Sequence, residues 1–176
     1  GLEDKEITAY HLGFVIGPCL NASGRLDSAK KGLELLLMED DEEAEKLAQE
    51  IVDLNDARKN MTKEGVDRAI NIIDSTDINN DKILVVYIPD IHESLAGIVA
   101  GRVKEKYNKP TIILTKSEEG VKGSARSIEE YNMFEGLLAC KELLDKFGGH
   151  PMAAGLSLPT ENINEFRTMI NHNCTL

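Results

Sequence analysis

Seven residues, Lys82-Ile83-Leu84-Val85-Val86-Tyr87-Ile88, constrain this chain more than any others. After Lys82 the run carries no charge and is rich in β-branched side chains, so neither alternate face suits water. Such a strand must be covered on both faces, which a sheet achieves when helices pack on each side of it. Pro89 ends the run because it lacks the N–H that a ladder requires.

The pattern alternates from there. Ser94 opens a predicted helix with Leu95, Ile98, Val99, Val103 and Tyr107 on its buried side, and Gly97 and Gly101, four apart, let it lie close to the sheet. Residues 110–115 and 121–126 read as two further strands around an acidic turn at 117–120. A helix is predicted over 133–147, closed by Gly148-Gly149 as a turn, followed by a strand over 152–158 and a capped helix from Thr160. This is an α/β fold, a mixed open sheet with flanking helices. Ligands of such sheets bind beyond the carboxyl ends of strands, where His92 and Arg126 fall.

The N-terminal half has a different character. Residues 7–16 are mostly apolar, Gly17-Pro18 is expected to break them, and Asn21 to Arg25 read as a loop. Asp27 or Ser28 would cap a helix bearing Ala29, Leu33, Leu36 and Leu37. This piece is apolar enough to need a partner. Residues 40–74 carry helical spacing (Ala44, Leu47, Ile51, Leu54, Val66, Ala69, Ile73) behind Asp40 and Asp41, with a break expected between Asn60 and Gly65. A long charged helix of this kind suits a connector. The expected organisation is therefore 2–38, 39–80 and 81–176, and Gly1 reads as a remnant of tag removal.

Charge narrows the function. The chain carries 20 bases and 31 acids, a net charge of −11, which argues against nucleic-acid binding by the whole surface. The acidity is uneven: residues 1–80 carry −9 and residues 81–176 only −2. A local positive pocket fits the second half; a broad basic groove does not. No apolar run approaches the roughly 18 residues that span a membrane, and no signal peptide is visible, so a cytoplasmic location is expected. Cys19, Cys140 and Cys174 are odd in number and widely spaced, as in a reduced protein without structural zinc.

Chemistry-bearing residues gather between Gly123 and Gly155. Ser124 and Arg126 alternate with Gly123 and Ala125, so a strand puts both on one face. Phe147-Gly148-Gly149-His150 presents an imidazole beside backbone that glycine leaves open. A hydroxyl, a guanidinium able to bind two oxygens at once, and an imidazole suit a phosphate. His92, in the loop after the buried strand, reads as a contact to substrate. Each residue also has a plainer reading: an ion pair with Glu129 or Glu130 for Arg126, a helix cap for the glycines before His150, and a cap on the following helix for His92. Arg25 reads from spacing alone as a solvated loop residue. No carboxylate, His or Cys cluster has metal-ligand spacing, and no GxSxG, phosphate-binding P-loop, GxGxxG or HExxH is present.

Four blocks in order resemble one family. Gly17-Pro18-Cys19-Leu20-Asn21-Ala22-Ser23-Gly24-Arg25 resembles GPRxNAxGR, and His92 to Arg102 resembles HEGVIGIVASR with Ser94 in place of glycine. Gly123 to Ser127 resembles GSGRS, and Phe147 to Gly155 resembles FGGHxxAAG. The chain is identified by these as similar to the RecJ single-stranded-DNA-specific exonucleases of the DHH phosphoesterase superfamily. The resemblance implies that 2–38 is the tail of a DHH catalytic domain, 39–80 a long connector helix and 81–176 a DHHA1 substrate-binding domain. It further implies that Mn²⁺ or Mg²⁺ is held by a DHH domain missing from this sequence, together with an OB-type domain that often follows. This piece would then bind single-stranded nucleic acid, hold no metal and be inactive alone, with repair or replication proteins as unnamed partners. By the same resemblance Arg25, Ser124 and Arg126 grip phosphates near the 5′ end, while His150, Gly148 and Gly149 contact the scissile region. Cys19 stands where the family often has Arg. Two other readings stay open: a related phosphodiesterase acting on nano-oligonucleotides or cyclic dinucleotides, and a non-catalytic interaction module.

Overall fold

The computed structural model describes residues 2 and 4–176, which leaves Gly1 outside the described residues. The chain divides into two compact units, residues 1–61 and 62–176. Among the described residues no helix is long and apolar enough to cross a membrane.

The first unit is helical. After α1 (Ala9–His11) the chain passes through a π-helical segment, Leu12–Ile16, directly into α2 (Gly17–Leu26). The expected break at Gly17-Pro18 does not occur, because Pro18 stands in the first turn of α2, where proline is tolerated. Residues 21–25, expected as a loop, belong to the same helix. Ala22 and Ser23 are fully buried, and Ser23 Oγ donates to the Leu20 carbonyl at 2.8 Å. Packing has overridden the turn preference of Asn-Ala-Ser-Gly. Ser28 caps α3 (Ala29–Leu37) by accepting from the Lys30 N–H, as its sequence position suggested. Small residues let α2 and α3 close on each other: a Cβ on Gly24 would lie 3.3 Å from that of Ala29. Tyr10, Phe14, Leu33, Leu36 and Leu37 remain exposed.

Asp40 accepts from the Glu43 N–H and starts α4 (Asp41–Ser75), which runs unbroken for 35 residues across the division between the units. The predicted interruption near Gly65 is absent. A Cβ on Gly65 would stand 2.6 Å from Ile91 Cδ1 and 3.1 Å from Val99 Cγ2, so this glycine serves close packing rather than a turn.

The second unit is the mixed open sheet. β1 (Leu84–Tyr87) pairs in parallel with β2 (Thr111–Lys116), and β2 pairs antiparallel with β3 (Val121–Arg126). β4 (Lys146–His150) and β5 (Ala153–Leu158) complete the order β1-β2-β3-β5-β4. α5 (Glu93–Tyr107) and the end of α4 cover one face, burying Leu84, Val86 and Ile113 against Leu95, Val99 and Ile73. Val85, Ile112, Leu114 and Ala125 point the other way, into a core with Met133 and Leu137 of α6 (Met133–Leu138) and Phe166 and Ile170 of α7 (Ile163–His172).

One predicted element is replaced. The helix expected over 133–147 stops at Leu138, a short 3₁₀ turn covers Lys141–Leu143, and Lys146–His150 is an edge strand. Phe147 is drawn to the core, 5.9 Å ring to ring from Phe134, and two consecutive glycines have little helix propensity to resist extension. Gly148-Gly149 is thus part of a ladder and caps no helix.

The β1 edge is closed by a side chain. Leu84 N–H donates inward to the Pro110 carbonyl, which leaves the Ile83 peptide facing outward. Asn171 of α7 meets it as a strand would: its Oδ1 accepts from Ile83 N–H at 2.9 Å and its Nδ2 donates to Ile83 C=O at 3.0 Å. Ile83 is fully buried, so both groups would otherwise lack partners. Asn171→Ala is expected to lower unfolding free energy by about 2–3 kcal/mol in urea titration, the cost of two orphaned backbone groups. A loss below about 0.5 kcal/mol would show that the amide does not close this edge.

Candidate nucleic-acid interface

Register places the candidate residues. Ser124 pairs with Gly155, which pairs with Gly148; Arg126 pairs with Ala153, which pairs with His150. Since Ala125, Ala154 and Phe147 face the core, these two rows share the opposite face, the α5 side of the sheet. A third row, Lys122–Ser157–Lys146, lies two residues further along the same face. Three strands therefore offer Lys122, Ser124 and Arg126, then Ser157, Gly155 and Ala153, then Lys146, Gly148 and His150.

α5 covers only part of this face. Its contacts run to β2 and β3, whereas Gly148, His150 and Gly155 are exposed. Nothing stands within 4 Å of where a Gly148 Cβ would be, and Gly155 would meet only the Gly123 carbonyl, at 4.0 Å. The middle row is thus a floor of bare backbone with one hydroxyl at its end. Gly149 is different: its φ is +152°, and a Cβ there would come within 2.3 Å of the Ala153 carbonyl. Only glycine holds the β4–β5 junction at this point.

α5 shapes the other border. Gly97 sits over the Arg126 guanidinium, and a Cβ would be 2.7 Å from Arg126 Nη2 and 3.6 Å from Ser124 Cβ. The expected close approach of Gly97 is found, and it houses a charged group. Gly101 has open space around its Cβ position, so its expected contact with the sheet is not found. Arg126 Nη1 donates to the Ala125 carbonyl at 2.8 Å, which helps fix the guanidinium.

Both histidines are oriented by their own backbone. His92 is the N-cap of α5: its Nδ1 accepts from Ser94 N–H and lies 2.7 Å from Ser94 Oγ. His150 Nδ1 accepts from Met152 N–H at 3.3 Å. In the neutral ring this leaves the proton on Nε2, a donor directed away from the turn. Lys122 is held by Glu93 at 2.8 Å, and that hydrogen bond raises its pKa above the ordinary lysine value. A cavity of about 260 Å³ opens between Glu93, Ser94, Lys122, Ser124 and Gly155, at the first turn of α5.

Ser124, Arg126, Gly148, Gly149 and His150 are thus brought together on one sheet, with His92 at the helix beside it. Arg25 lies exposed in α2, in the other unit. Sequence reasoning missed Lys122, Lys146, Ser157 and Gly155. Alternation in β3 and in the strand expected over 152–158 already carried Lys122, Gly155 and Ser157, whereas Lys146 required knowing that β4 is a strand. Among the described residues no group of three or more His, Cys, Asp or Glu side chains is placed to hold a metal ion, so the side chains present do not fit a metal centre. What they bring together is cations, hydroxyls and an imidazole donor over exposed backbone.

Comparison with known proteins agrees with this architecture. Residues 80–175 match the DHHA1 domain family. The single-stranded-DNA-specific exonuclease RecJ of Bacillus subtilis is 40% identical over 162 residues, covering 91% of this chain and 20% of that protein. RecJ of Escherichia coli is 37% identical, covering 93% of this chain and 30% of that protein. The crystal structure of Thermus thermophilus RecJ in complex with Mg²⁺ superposes with a TM-score of 0.86 at 28% identity, over 96% of this chain and 26% of that one. The chain therefore spans about a fifth to a third of the length of these relatives.

The two glycines of β4 are expected to respond oppositely to the same change. Gly148→Val should keep the melting temperature within about 3 °C, because its side chain enters open space on a strand. Gly149→Val should lose about 2–4 kcal/mol through backbone strain and the clash with Ala153. Thermal unfolding followed by circular dichroism distinguishes them, and equal losses would contradict the assigned face of Gly148.

Proposed function

The chain belongs to the DHHA1 domain family, and from that premise we propose that it is the substrate-gripping portion of a RecJ-like 5′-to-3′ single-stranded-DNA exonuclease. The observation that carries the reading is the in-register face on which Ser124, Arg126 and His150 surround the Gly148–Gly155 floor. A phosphate set on such a floor reaches the Arg126 guanidinium and Ser124 hydroxyl without side-chain obstruction. His150 offers an Nε2 donor to the next phosphate or the scissile region, and the Gly148-Gly149 backbone approaches the strand closely. His92 contributes by holding the first turn of α5 beside Ser124. Arg25, on α2, adds a further phosphate contact in this reading.

Hydrolysis would belong to Mn²⁺ or Mg²⁺ ions held by a DHH domain of a longer protein, where they activate water. The residues present here bind and orient substrate. A cytoplasmic enzyme working in DNA repair or recombination is the setting this implies.

Two measurements test the reading. In fluorescence anisotropy at low salt, a short 5′-phosphorylated single strand should bind more tightly than its 5′-hydroxyl counterpart, and Arg126→Ala should weaken that binding by about 1.5–3 kcal/mol. Unchanged affinity in the variant removes Arg126 from the grip. The 176-residue chain alone should release no nucleotides from single-stranded DNA with Mn²⁺ or Mg²⁺ added. Cleavage abolished by Arg126→Ala would contradict the division of labour.

A further inference from the structure

Beyond the terminal-phosphate grip, and resting on that reading of the site, we propose that the row Lys122–Ser157–Lys146 is a second phosphate contact. It would make the sheet face a track for several nucleotides of one strand rather than a socket for its end. The row shares its face with Ser124, Arg126 and His150 because β3, β5 and β4 stay in register over their whole pairing. Lys122 and Lys146 lie on the two outer strands of the three, with the Ser157 hydroxyl between them. Lys146 is exposed and has no ion pair among the described residues. Lys122 is held in place by Glu93 at 2.8 Å.

Spacing fits a strand of nucleic acid. The Lys122 and Arg126 rows are four residues apart, about 14 Å at roughly 3.4 Å per residue. A stacked single strand covers that length in about four phosphates, at about 3.4 Å each. Between the rows lies the Gly148–Gly155 floor, open over β4 and β5, with Glu93 and Ser94 of α5 at its β3 border. The row itself lines an open concavity, which Lys122, Ser157 and Lys146 share with Lys116, Glu93, Glu118, Glu119 and Asp145. The carboxylates around the row offset part of its charge and repel further phosphates, so the contact is local and adds little for longer strands.

The test compares a 5′-phosphorylated dinucleotide with a hexanucleotide and a dodecanucleotide, on the chain and on Lys122→Ser/Lys146→Ser, Arg126→Ala and Lys141→Ser variants. Lys141 is exposed in the 3₁₀ turn, outside the three strands of the track, and serves as the control. The parent should bind the hexanucleotide more tightly than the dinucleotide and gain little more with the dodecanucleotide. The double variant should lose about fivefold to thirtyfold on the hexanucleotide, keep its dinucleotide affinity, and show a salt dependence shallower by about 1.4 log units per log unit of salt, since each single-strand contact contributes about 0.7. Lys141→Ser should change none of these. If the double variant matches the parent on the hexanucleotide while Arg126→Ala still weakens both lengths, the second contact is wrong and the terminal grip stands. If Arg126→Ala also matches the parent at every length, the underlying reading of the site falls, and the second contact with it.

Discussion

The side of the sheet proposed to meet substrate depends on one constraint, the register of β3 with β5 and of β5 with β4. In a ladder of period two, a slip of one residue turns every side chain to the other face. Here the register is pinned from behind. Ala125, Ala154, Leu156 and Phe147 fill the core shared with Met133, Leu137 and Phe166. A slip would bury Ser124, Arg126 and Lys146 and expose those apolar residues. Hydrophobic burial on one face therefore sets the positions of the polar groups on the other, with no interaction among the polar groups themselves needed to align them.

Glycine does three separate jobs around that face. Gly149 solves a backbone problem, since its positive φ and the nearby Ala153 carbonyl exclude a side chain. Gly97 solves a packing problem, giving the Arg126 guanidinium room beneath α5. Gly148 and Gly155 solve neither: a side chain would fit at both, yet the floor they form would be covered. At both positions glycine is structurally unnecessary and sits among cations and hydroxyls, which supports the proposed close approach of a phosphate.

Much of this was legible in the sequence. The buried run ending at Pro89, the helix after it, and the strand Val121–Arg126 follow from periodicity and appear where expected. Ser124 and Arg126 share a face because β3 is regular. The readings that failed did so where local preference met tertiary packing. Asn21 to Arg25 has the composition of a turn, but burial of Ala22 and Ser23 holds it in α2. Gly65 has the composition of a break, but Ile91 and Val99 need the space beside it. Residues 141–147 continue an apolar helical pattern, yet Phe147 and the glycines join the sheet as an edge strand that no local signal distinguishes. That last difference hid Lys146 and the pairing that sets Gly148 and His150 beside Gly155 and Ala153.

In the function proposed here, a phosphate of single-stranded nucleic acid rests on the Gly148–Gly155 floor, within reach of Ser124 and Arg126. The most direct measurement is a nuclear magnetic resonance titration of the isotope-labelled chain with a short 5′-phosphorylated single strand. The largest shifts are expected on the amides of Ser124, Gly148, Gly149 and Gly155 and on the Arg126 side chain, with the α7 amides unmoved. Saturable binding whose shifts spare those five residues and gather elsewhere would contradict this placement of the phosphate.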